Sequence, residues 1–349
     1  MGIARQLPFF LQPTNPLNRV QALTVVLFLY GLSGGAIEPL PIALSALTLA
    51  VFLAIETLVA TDPIIPLGVL RSRAVLLTCV AQLGFMSSRW TVLFYAPTFG
   101  LAVRGLSLPA AGAVLVPTNA GFAAGGILVG ALHVRRPRSF WRASVAALAL
   151  AAAAVLATSR ASTRDAPWAG YQAALVAHGL CTGAALNYTL SHLLHRTRPA
   201  DHFVAAGLLA TFRGFGGSFG TAVGGGAFVR HLTAAMARGF AALDGGHGDP
   251  GPARRETIRR LAADPGLVFR GSFLTAAERG VAVAAYEGAL ASLYQWAALV
   301  GVVVVLVQAG TGWSDLAPTT GSVDEAEGVR EPLLGRDGEG AAGGGEGLA

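Results

Sequence analysis

Apolar residues in this chain come in long runs, and polar residues are confined to the short gaps between them. Eight runs stand out, at about 20–36, 40–60, 74–98, 109–132, 141–159, 168–190, 203–229 and 290–310. Strands of a soluble sheet would alternate apolar and polar positions. Unbroken runs of roughly 18 residues or more are the pattern of helices that cross a bilayer, which needs ~20 residues. The pattern predicts an all-α integral membrane protein with about eight transmembrane helices. The first run is short and closes on "GLSGG".

Composition agrees with the pattern. Hydrophobic residues make up 53% of the chain and charged residues 13%, about half of what a soluble domain carries. The net charge of +6 is spread over loops and forms no single basic patch, which speaks against a nucleic-acid partner and for a lipid bilayer. With residues 1–19 placed in the cytosol, the short cytosolic loops hold Arg71, Arg73, Arg135, Arg136, Arg138, Arg142, Arg196 and Arg198. The short outer loops hold only Arg104, Arg160 and Arg164. That asymmetry follows the positive-inside rule and puts both ends in the cytosol. The segment 230–289 then forms a long non-cytosolic loop. Within it, "ARRETIRRLAADPGLVF" and "AERGVAVAAYEGALASLYQW" have helical spacing and are expected as short helices on the membrane surface. The tail 313–349 holds eight of the nineteen acidic residues and ends "GEGAAGGGEGLA", a composition that predicts disorder.

Several chemistries are absent from the sequence. The chain has no lysine, so it has no P-loop. Cys79 and Cys181 both lie in apolar runs and read as buried hydrophobes, with neither a disulfide framework nor a metal site. No paired-His zinc motif, GxSxG elbow or metal-binding acid pair occurs, so the chain does not read as an enzyme.

Polar residues at membrane depth are then the informative ones. Arg213 sits near the middle of "FVAAGLLATFRGFGGSFGTAVGGGAFV". A charge there costs ~2.5–3.5 kcal/mol on insertion scales and normally faces protein or a water-filled cavity. Two readings stay open: Arg213 lines a substrate cavity, or it only braces packing. Arg89, in "FMSSRWTVLFYAP", raises the same question beside Tyr95. No carboxylate lies deep in any run, which leaves His178 as the one candidate proton carrier; a packing role is the plainer alternative. Asn119 and Asn187 complete the candidate cavity set, with Tyr188 beside them. Gly216, Gly220 and Gly224 are spaced i, i+4, i+8, and Gly121/Gly125 and Gly126/Gly130 form two further GxxxG pairs, expected to let helices approach closely.

Five strings also carry a resemblance. "DPIIPLGVLRSRAVL", "LFYAPTFGLAVRGLSLPAAGAVLVP", "HVRRPRSFW", "FRGFGGSFGTAVG" and "AAYEGALASLYQW" occur in this order over about 20–310. Together they resemble the fourteen-span drug:proton antiporters of the major facilitator superfamily, especially the fungal multidrug and toxin exporters and the vacuolar basic-amino-acid transporters. The resemblance implies two linker spans within 20–60 and a C-terminal six-helix facilitator domain over 74–310, with the N-terminal six-helix half not represented in the sequence. It implies a multi-pass transporter of the plasma or vacuolar membrane, exporting drugs or toxins or moving basic amino acids. The energy source would be the proton gradient, with no cofactor. Asp62 and the basic loop with Arg135, Arg136 and Arg138 would form a cytosolic gate latch. The alternative expectation is a half-transporter that does not transport, or regulates another carrier, or comes from a truncated gene model.

Overall fold

The computed structural model describes residues 16–58, 72–133, 139–246, 251–271 and 273–312. Asp62, Arg135, Arg136 and Arg138, and the tail 313–349, lie outside the described residues. Every long element among the described residues is a helix: α1 Pro16–Ser33, α2 Pro39–Leu58, α3 Arg73–Ala102, α4 Leu108–Ala113, α5 Leu115–Leu132, α6 Trp141–Ala161, α7 Trp168–His195, α8 His202–Leu243, α9 Pro252–Ala263 and α10 Ala276–Ala309. Short 3₁₀ turns precede α8 and follow α9.

Local chemistry explains where these helices begin and end. Proline opens α1, α2 and α9, at the position where its missing N–H costs nothing. Thr275 and Glu278 form a reciprocal capping box at the start of α10, which satisfies two otherwise orphaned donors. Gly245 takes φ 72° just past α8, the left-handed conformation that closes a helix and admits glycine readily.

Two boundaries differ from the sequence expectation. "AERGVAVAAYEGALASLYQW" is no separate surface helix: it is the first part of α10, which begins at Ala276 and not near 290. Likewise α8 runs on through "RHLTAAMARGFAAL" to Leu243, because no breaker occurs before Asp244-Gly245-Gly246. The expected long loop shrinks to the connection carrying α9.

Among the described residues, three segments are long and apolar enough to cross a membrane: Leu108–Ala131, spanning α4 and α5, Trp141–Ala161 and Ala276–Ala309. Two shorter apolar helices are Arg19–Ser33 and Pro39–Ile55. The other runs fold as helices but are less apolar than a plain membrane span. Gln82 and Arg89 interrupt α3, His178, Asn187 and His192 interrupt α7, and Arg213 and Arg230 interrupt α8. The outer surface fits a hydrocarbon environment. Ile127 is 68% exposed, Trp296 62% and Leu306 67%, and such faces recur on most helices, beyond what a water-soluble monomer presents.

The helices pack as α5 on α7, α3 on α8, α6 on α7, and α10 on α3, α6 and α8. The α1–α2 hairpin joins through α1, which lies on α8. Arg230 of α8 donates to the carbonyls of Leu32 at 3.1 Å and Gly34 at 2.9 Å. It supplies a cation where the end of α1 leaves carbonyls unpaired. Phe28 and Phe219 pack ring to ring 5.6 Å apart on the same seam.

The α9 connection is a small polar cap over the ends of α8 and α10. Ile258, Leu261 and Val268 join the core formed with Met236, Phe240 and Tyr286, and the Tyr286 hydroxyl donates to the Leu261 carbonyl. Arg254 ties the three helices together. It donates to Asp244 at 2.8 and 2.9 Å and to Glu278, above the Phe240 ring. The hydrogen bond from Arg254 holds the Asp244 carboxyl below its ordinary range. A depressed carboxylate stabilises above its unfolded pKa, and that contribution is lost as pH falls through the folded value. The expected result is that the amide protection factor over 252–263, taken relative to intrinsic exchange, stays flat above about pH 5 and falls below about pH 4. In Arg254→Ala protection should be low at every pH. A protection factor that does not change with pH in the parent chain would remove the role of Asp244.

Candidate functional site

Arg89 and Phe122 meet where α3, α5 and α7 face one another, and Thr118 and His178 lie buried on the adjoining turns of α5 and α7. The helices can approach because glycines interleave between α5 and α7. A Cβ on Gly121 would overlap the Val176 carbonyl, on Gly125 the Leu180 carbonyl, on Gly179 the Thr118 carbonyl and on Gly183 the Phe122 carbonyl. The two pairs, Gly121/Gly125 and Gly179/Gly183, are i, i+4 and face each other. Backbone-to-backbone contact of this kind is what GxxxG spacing permits. It seats Thr118 and Phe122, one turn apart on α5, against the turn of α7 that begins at His178.

Arg89 comes from the middle of α3. Its guanidinium carbon lies 4.3 Å from the centroid of the Phe122 ring, a cation–π arrangement. His178 directly precedes Gly179, whose first carbon would meet the Thr118 carbonyl. Arg89 is 6% exposed, His178 1% and Thr118 0%. Arg89 Nη1, Thr118 Oγ1 and His178 Nδ1 are all buried without a hydrogen-bond partner. Such orphaned polar atoms are few in folded proteins, and each asks for an explanation. No acidic residue occurs anywhere on α3, α5, α6, α7 or α8, so the Arg89 charge has no counter-charge on these helices.

Arg213 is a different case. Its Nε donates to Gln82 Oε1 of α3 at 2.9 Å. Its Nη2 donates to the Leu186 carbonyl at 2.8 Å and to Thr189 Oγ1 at 3.1 Å, both on α7. These neutral acceptors occupy the guanidinium and tie α8 to two other helices. Of the two readings open in the sequence, this geometry supports the brace. Gln82 and Arg89 are seven residues apart, so the two arginines lie about 10 Å apart along α3 at ~1.5 Å per residue.

The remaining candidates scatter. Tyr95 is on another side of α3 from Arg89: its ring packs on Phe228 at 4.7 Å, within the apolar core. Asn119 is exposed, and the buried polar group at that level is its neighbour Thr118. Asn187 staples α7 to α5, donating to the carbonyls of Gly183 at 3.0 Å and Gly126 at 3.4 Å, with Gly126 and Gly130 flanking its amide. On α8, Gly216 abuts Met86, Gly220 the Ser87 carbonyl and Gly224 the Thr91 side chain. A groove of about 270 Å³ between α3, α8 and α10 is walled by Phe219, Val223, Leu293 and Trp296. It is apolar and holds neither buried arginine. No group of His, Cys, Asp and Glu among the described residues could hold a metal ion.

Thr118 escapes a reading for charge, and the pair Gly179/Gly183 is not singled out although it has GxxxG spacing. The signal for the glycines was present in "HGLCTGAAL", where two small residues four apart follow the buried histidine.

No protein-family model matches the chain, and no curated protein matches it at a significant level.

Proposed function

We propose that this chain is the membrane domain of a secondary carrier of the facilitator antiporter type, with α1 to α8 and α10 supplying eight spans. α1 and α2 would be the linker pair and α3 to α10 one six-helix half. The observation that carries this reading is Arg89: a cation in the middle of a helix, buried among three helices that contain no acid. Ionisable residues placed so inside a membrane protein mark substrate or ion pathways. The chemistry is conformational, with no covalent step. The five family-like strings extend the reading to proton-coupled export of drugs or toxins at the plasma membrane, or loading of basic amino acids into a vacuole.

Purified chain reconstituted in proteoliposomes tests this. Under an imposed pH gradient, a cationic drug or radiolabelled arginine should accumulate, and a protonophore should abolish the accumulation. Flux that appears only after co-reconstitution with the N-terminal six helices of a related carrier would identify a half-carrier. Absence of flux in both arms would overturn transport and leave a structural or regulatory membrane protein.

A further inference from the structure

We infer that Arg89, Thr118 and His178 form a binding site for one small monovalent anion, a halide or the carboxylate of a small organic molecule. The inference deepens the carrier reading by naming what the α3–α5–α7 cluster binds. It rests on that reading only for its role in transport, and not for the binding itself.

The cluster holds a cation and two groups that can each donate, and it lacks a negatively charged acceptor. Arg89 Nη1 is a donor that never ionises away in a protein. Thr118 Oγ1 carries a donor proton. His178 Nδ1 is a donor in one neutral tautomer. All three are buried and unpartnered. A buried cation is tolerated when paired, and leaving it unpaired is strongly destabilising. The Phe122 face offsets part of that cost but accepts no hydrogen bond from Nη1 in the way an oxygen or halide does.

Arg213 of the same chain provides the contrast. Three neutral acceptors from two helices surround that guanidinium. Nothing equivalent is arranged around Arg89, although Ser88 and Thr91 stand close by in sequence. Ser88 instead donates to the Ala297 carbonyl and Thr91 to the carbonyls of Ser87 and Gly220. The neighbouring polar groups are committed elsewhere, while Arg89, Thr118 and His178 keep unpartnered polar atoms in one region of the bundle. The species that completes such a set is an acceptor bearing negative charge. The ligand must be small, because all three side chains are enclosed. Donor sets of this kind make charge-assisted hydrogen bonds, about twice as strong as neutral ones.

The test is binding to the purified chain in detergent, with no transport required. Thermal unfolding is followed at constant ionic strength while gluconate is replaced by chloride, by bromide or by acetate. The expected result is a saturable rise in melting temperature with chloride and bromide, with acetate, or with all three. A halide-only response identifies an inorganic anion, and an acetate response identifies a carboxylate. Arg89→Gln should abolish the saturable rise. Thr118→Val should weaken the apparent affinity on the order of tenfold. Arg213→Gln, which changes the already satisfied arginine, should keep it. If Arg89→Gln does not fold, Thr118→Val and His178→Phe each remove one of the other two donors and should weaken the same response. No saturable anion dependence in the parent chain, or an equal one in the Arg89 and Thr118 variants, would overturn the site. Binding without flux in either proteoliposome arm would overturn the carrier reading alone. Flux without anion dependence of either binding or rate would overturn this site alone.

Discussion

Gly179→Leu should eliminate the folded protein. Any side chain at this position is driven into the Thr118 carbonyl and reaches to within 2.9 Å of the Phe122 amide nitrogen at its first carbon alone. Overpacking a core with an added methylene typically costs ~1–3 kcal/mol, because rotamers and backbone adjust. Here the obstructing atoms are backbone of a neighbouring helix, which has no rotamer to change. α5 and α7 must separate, and the interleaved contacts of Gly121, Gly125 and Gly183 are lost with Gly179. A loss well above ~3 kcal/mol is expected, against a total stability of ~5–15 kcal/mol. Gly125→Leu should behave the same way, since its first carbon would sit 2.8 Å from the Leu180 carbonyl carbon. Gly207→Leu is the control: it lies on α8 with nothing within 4 Å and should be neutral. Size-exclusion profiles of the detergent-solubilised variants give the comparison. A monodisperse Gly179→Leu peak at the parent position would show that α5 and α7 do not pack as described.

Arg213→Leu should cost ~2–4 kcal/mol, because hydrogen bonds to a charged group are worth ~1.5–3 kcal/mol each in context and the buried Gln82 loses its partner. If α8 spans a bilayer as proposed, removing its charge returns part of this. Gln82→Leu should destabilise as well, by leaving Arg213 with only its α7 acceptors. The double variant is the decisive measurement. If the 2.9 Å contact between Arg213 and Gln82 exists, the double variant loses less than the sum of the two singles, by ~1–3 kcal/mol. Arg213→Lys should recover part of the stability at most, since an ammonium cannot bridge two helices with a planar fork. Strict additivity of the two substitutions in thermal or denaturant unfolding would exclude the brace.

The two arginines show how far residue pattern carries. Both are conspicuous as charges inside apolar runs, and from the chain alone they are equivalent. Their difference lies in what faces them: three acceptors from α3 and α7 at Arg213, and an aromatic ring with orphaned donors at Arg89. None of these partners is near its arginine in sequence. Asn119 illustrates the limit at the scale of one residue. A single step along a helix turns a side chain by about 100°, so Thr118 is buried at the site while Asn119 is exposed. The run lengths located each helix, but not how far α8 and α10 extend, because a long helix needs only the absence of a breaker beyond its apolar segment.

The all-α class, the runs that become helices, the glycine spacings and the presence of buried cations without acids are properties of the chain by itself. They follow from local rules: period, propensity, and the cost of charge in an apolar run. Which glycines face which backbone was decided only in the tertiary structure, as was the brace at Arg213 and the seating of Arg89 on the Phe122 ring. Those outcomes depend on the rotational phase of separate helices about their axes. That phase is set when several helices pack together, and no single helix contains it.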